Sequence, residues 1–165
     1  MHDSISRVSR PVAAVLLGGG TAATIDIIYA FVRNAGFDKT PVWVLQSVAS
    51  GFLGLGAFES GNPGAVLGLV SHYSILFVAA FIYLQGANRV PALRTQAVAS
   101  GAVFGVLVYL FMNFVVLPLS AFPFTLSYTP MRLLEGFGSH ALFVGVPIAI
   151  AIRWLVYGGN RGAGD

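Results

Sequence analysis

The chain contains no cysteine, which removes disulfides, thiolate catalysis, cysteine-held zinc and iron–sulfur clusters at once. It is also short of charge. Asp, Glu, Lys and Arg make up 9% of its 165 residues, against about one quarter in a soluble globular domain. So little charge cannot coat a water-facing surface. No Walker loop, G-x-S-x-G elbow or H-E-x-x-H is present, and the Gly-rich "GLGAFESGNPG" around Glu59 follows no strand, so it is no dinucleotide fingerprint. An enzyme is the less favoured class.

What is abundant is apolar sequence: 56% of residues are hydrophobic and the mean hydropathy is +0.81. Apolar runs of this length can cross about 30 Å of hydrocarbon at about 1.5 Å per residue. Four spans are expected, over residues 11–32, 63–84, 96–119 and 130–157, forming an all-α bundle of two tandem helix hairpins in one domain. Pro11, Pro63 and Pro130 suit helix starts, Pro118 and Pro123 mark an exit, and Pro147 should bend the last span. Residues 41–56 are too short to span and are expected to lie in the interface, with Trp43 at headgroup level. Tyr83 and Trp154 read as further belt anchors, and Arg33, Lys39 and Glu59 as solvated loop charges. Arg7 and Arg10 ahead of "PVAAVLLGGGTAA" resemble a cleavable leader. The apolar pattern continues through "TIDIIYAFV", however, so a retained first helix is expected.

The pI near 9.6 invites a nucleic-acid reading, but the nine basic residues form no patch. They sort by membrane side instead. Arg7, Arg10, Arg89, Arg94, Arg153 and Arg161 fall on one side, and Arg33, Lys39 and Arg132 on the other. That asymmetry predicts cytoplasmic termini in a bacterial inner membrane.

Two short stretches recur. "GLVSH", ending at His72, has a near twin in "GFGSH", ending at His140, and Thr40-Pro41 is matched by Thr129-Pro130. A duplicated hairpin with parallel halves accounts for both pairs. Within the spans, small residues share a helix face with a polar one. Gly18 precedes Asp26, Gly64 and Gly68 precede His72, Gly101 and Gly105 precede Tyr109 and Asn113, and Gly136 precedes His140, with Glu135 and Ser139 alongside. The glycines predict close helix packing, and the glycines of the twin pentapeptides are expected to touch. The ionisable groups should then point inward, away from lipid.

The plainer account of Ser71, Ser139 and Asn113 is interhelical hydrogen bonding. Asp26 is different, because an intramembrane carboxylate costs about 2.5–3.5 kcal/mol to insert at a helix centre. Asp26, His72, Tyr109, Asn113, Glu135 and His140 are therefore the candidate ligand or proton-pathway residues. Three chemistries compete for them. A proton relay would use groups titrating near neutrality. A metal site would draw on His72 and His140, although no H-x-x-x-H or E-x-x-H spacing supports it. A b-type haem would need the two His as axial ligands, and ranks third.

The stretches "GLVSHYSILFVAAFIYL", "FVVLPLSAFPF" and "TPMRLLEGFGSHALF" resemble the YagU-like family of bacterial inner-membrane proteins over roughly the last 100 residues. The features shared are His72, Gly101, Gly105, Pro118-Leu119, Pro130, Glu135 and His140, with Ser139 inserted before the last. The resemblance implies fold and location and supplies no activity. The leading expectation is a small proton- or ion-linked membrane protein, transporter-like or channel-like. It would sit in the lipid bilayer and form homo-oligomers. Alternatives are an accessory subunit among other membrane subunits and a haem or metal carrier.

Overall fold

The computed structural model describes residues 2–158. Helix is the only regular structure among those residues, with no strand: α1 (His2–Ala35), α2 (Pro41–Leu53), α3 (Gly56–Glu59), α4 (Asn62–Arg89), α5 (Pro91–Thr95), α6 (Ala97–Phe111), α7 (Leu117–Leu119), α8 (Pro130–Ser139) and α9 (Val146–Ile152). Four stretches are long and apolar enough to cross a membrane: Arg10–Ala35, Asn62–Arg89, Ala97–Leu119 and Pro130–Tyr157. Spans one and two pack as one hairpin and spans three and four as the other, with span one also lying against span four.

Local chemistry explains the helix starts. Thr40 and Thr129 each take an extended backbone and cap the helix behind them, accepting from Trp43 N–H at 3.1 Å and Arg132 N–H at 3.4 Å. The two Thr-Pro pairs open unlike helices, however. α2 ends after 13 residues at Gly54 (φ 57°), whereas α8 begins a span. Pro11 does not start α1, which runs through it from His2; one proline removes a single backbone bond and need not stop a helix supported on both sides. Arg161 lies outside the described residues.

Glycine sets the closest contacts. A Cβ on Gly105 would lie 2.6 Å from the His140 carbonyl carbon, and one on Gly101 would lie 2.7 Å from the Gly145 oxygen. Spans three and four therefore meet backbone to backbone. Gly18 and Gly19 let span one approach Ala151 and Phe77. The twin pentapeptides do not touch through their glycines: Gly136 faces the Tyr109 ring, and Gly68 faces the Leu45 carbonyl of α2. Gly64 takes up the neighbouring Ala57 and Ser60.

Instead of lying free, α2 is seated on span two at Gly68. Gln46 Nε2 donates to the Gly61 carbonyl at 3.0 Å, and Ala121 N–H donates to the Gly51 carbonyl at 2.9 Å. Trp43 packs with Phe58 and Phe124, with Lys39 Nζ 4.6 Å from its ring centre. Tyr83 is no belt anchor. It is buried at 2% exposure, donates to the Leu93 carbonyl at 2.7 Å and lies 2.8 Å from Ser100 Oγ. Trp154 is 74% exposed.

Prolines 118 and 147 each follow a π-helical turn, Met112–Val116 and His140–Gly145. Leu117 N–H reaches back five residues to Met112, so the Asn113 carbonyl loses its usual donor, and the next residue, Pro118, has none to give. Tyr128 OH fills the vacancy, donating to Asn113 O at 2.8 Å. Before Pro147 the same backbone pattern recurs, with Val146 N–H reaching back five residues to the Ala141 carbonyl.

Candidate functional site

Asp26, His72, Tyr109, Asn113 and His140 line one cavity of about 560 Å³ between the four spans, with α2 and the Ser120–Phe122 segment forming its roof. Each comes from a different position in the fold: Asp26 from span one, His72 from span two, Tyr109 and Asn113 from span three, His140 from span four. The last two polar residues sit on the π-helical turns, where a widened turn displaces a side chain from ordinary helical register.

His72 is buried, and its Nε2 lies 3.0 Å from the Ala23 carbonyl and 4.0 Å from Asp26 Oδ2. A carbonyl oxygen only accepts, so Nε2 carries a hydrogen and donates it. Asp26 keeps 16% of its side-chain surface, and no hydrogen bond to its carboxylate forms among the described residues. His140 packs edge-on to Tyr109 at 5.1 Å, with its Nδ1 3.3 Å from Ser139 Oγ. Ser71 and Ser139 donate to their own helices, at Leu67 and Gly136. Asn113 Nδ2 donates to the Tyr109 carbonyl at 2.9 Å.

Glu135 is elsewhere. It pairs with Arg33 through both carboxylate oxygens, Nη2 to Oε2 being 3.1 Å, and accepts from Tyr29 OH at 2.9 Å. Arg33 is therefore no loop charge: it stands in the last turn of α1, with its guanidinium 4.5 Å from the Phe37 ring centre. This ion pair ties span one to the start of span four.

Sequence reasoning also missed Asn34, Phe52, Met112 and Phe122, which line the cavity. Asn34 follows the stripe of Asp26 by eight residues, two turns on the same face, and was the findable one. Phe52 and Phe122 reach the wall only through the seating of α2. Among the described residues no three His, Asp or Glu side chains converge as a metal-binding group.

The cavity is one-sided. Its deepest wall, Leu76 and Val144, lies 14 residues into spans two and four, roughly 21 Å from their α2-side ends at 1.5 Å per residue. Beyond it, Ala80, Tyr83, Leu84, Ile148 and Ile152 close the bundle as apolar core. No protein-family model matches this chain, nor does any curated protein or solved structure.

Proposed function

We infer that the protein is a small membrane transporter that moves protons, or a small ion coupled to them, using Asp26, His72 and His140. The observation that carries this reading is Asp26 itself. It is a carboxylate within an apolar span, facing a cavity and 4.0 Å from an imidazole, with no hydrogen bond to it among the described residues. An ionisable group is costly there unless a function retains it. The one-sided cavity favours a carrier, which opens to each face in turn, over a standing channel. The twin hairpins, read as a duplicated unit, supply two halves that can rock against each other.

Lipid surrounds the bundle in this reading. Arg10, Arg89, Arg94 and Arg153 face the cytoplasm of a bacterial inner membrane, with Arg33, Lys39 and Arg132 opposite. The YagU-like resemblance supports that location. Span three is the least buried of the four, and its uncovered face suits contact with a second copy or another membrane subunit.

Purified protein in liposomes carrying a pH-sensitive dye tests the function. An imposed gradient should dissipate faster with wild type than with empty vesicles, and Asp26→Asn should remove the increment. Equal rates for wild type and Asp26→Asn would end the proton-coupled reading.

A further inference from the structure

The polar inventory of the cavity wall is lopsided. Among the described residues Asp26 is the one carboxylate on it, and neither lysine nor arginine lines it. Several of the donors present are spent. His72 Nε2–H goes to Ala23, Asn113 Nδ2 to Tyr109, Asn34 Nδ2 to Ala30, and the hydroxyls of Ser47 and Ser120 to Val44 and Leu117. What remains open for hydrogen bonding is mixed, the Tyr109 hydroxyl and the second amide hydrogens of Asn34 and Asn113 standing beside the side-chain oxygens of both Asn. The fixed charge on the wall, however, is the Asp26 carboxylate, to which no described residue donates. A ligand complementary to that wall must donate hydrogen bonds and carry positive charge.

Size and the apolar wall narrow the class. At about 560 Å³ the cavity falls within the roughly 300–1,000 Å³ range of small-molecule sites, and a water molecule takes only about 30 Å³. A bare metal ion lacks its converging ligands here. An anion meets no lysine or arginine among the described residues of the wall, and meets the Asp26 carboxylate instead. Ile75, Val108, Val116 and Val144 offer apolar surface, and Tyr109 and Phe122 offer aromatic faces that attract cations.

The geometry points to a lipophilic protonated amine as the ligand. Its ammonium would sit against Asp26 between the two histidines, with its hydrocarbon body on Ile75, Val108 and Val116. This deepens the transport reading and rests on it for turnover, but binding alone requires no gradient. Among groups facing Asp26, His72 comes from span two, His140 from span four and Tyr109 from span three. All titrations are run at about pH 8, where the ammonium and carboxylate probes both carry full charge.

Three probes of one shape separate charge from grease: cyclohexylammonium, cyclohexanol and cyclohexanecarboxylate, titrated by calorimetry into full-length protein in nanodiscs. Saturable binding should appear for the ammonium and be weaker by about tenfold or more for the alcohol and the carboxylate, a difference of about 1.4 kcal/mol per factor of ten. Asp26→Asn should weaken the ammonium by a similar factor. Val108→Trp, which fills the cavity and keeps the carboxylate, should do the same. Far-UV circular dichroism and size exclusion check both variants, and the three-probe series on wild type decides the matter where a variant does not fold. Equal binding of alcohol and ammonium, absence of ammonium binding, or undiminished binding by Val108→Trp each overturns the assignment. Binding without proton flux leaves the amine site standing and removes the transport reading. Flux without binding does the reverse.

Discussion

Replacing Gly105 with alanine puts the span-three contact to a direct test. The added Cβ would lie 2.6 Å from the His140 carbonyl carbon and 2.9 Å from the Ala141 Cα. Carbon atoms in good contact sit about 3.5–4.0 Å apart. The helices must therefore separate by about 1 Å, because the obstacle is backbone and cannot rotate away. A gap of that size forfeits roughly a quarter to a half of each nearby dispersion contact. The Gly101–Gly145 approach lies one turn off and opens with it. Overpacking costs about 1–3 kcal/mol, and Gly105→Ala belongs at the upper end. Gly138→Ala is the control, since a Cβ there meets nothing within 4 Å and alanine gains helix propensity. Reversible denaturation in mixed micelles, followed by circular dichroism, measures both. Gly105→Ala as stable as wild type, or Gly138→Ala equally weakened, refutes the backbone-contact account.

Two further outcomes follow from the same geometry. In a double-mutant cycle, Arg33→Ala and Glu135→Ala should each destabilise the protein, and the pair should show a coupling of about 1 kcal/mol, because both side chains remain about a third exposed. Tyr128→Phe keeps the 4.6 Å stack on Phe114 but leaves the Asn113 carbonyl without a donor, costing about 1 kcal/mol by the same denaturation assay.

The four spans were legible because twenty-odd apolar residues leave a helix few alternatives, and an i, i+4 stripe reports which side of that helix carries Asp26 or Asn113. Partnership between helices was not. Arg33 and Glu135 are 102 residues apart. Because α1 continues past Val32 to Ala35, Arg33 is carried on the helix rather than into a loop. The proline rule announced a bend at Pro147 and an exit at Pro118, yet no local pattern says that each becomes a π-helical turn. The amphipathic stripe of α2 shows an apolar face without showing what it faces. A lipid surface and the Gly68 groove ask for the same residues.

The seat of α2 has a consequence for the order in which the protein is made. α2 leaves the ribosome before Gly68, on which it rests, and well before Ala121, whose amide ties down Gly51. Its seat on span two is available once Gly68 has emerged, but the tie to Gly51 must wait for Ala121, just past the end of the third span. The roof of the cavity is thus synthesised second and pinned only later. A nascent chain stalled before residue 121 would hold α2 by its contacts with span two alone, with the wall that span four supplies still to be made.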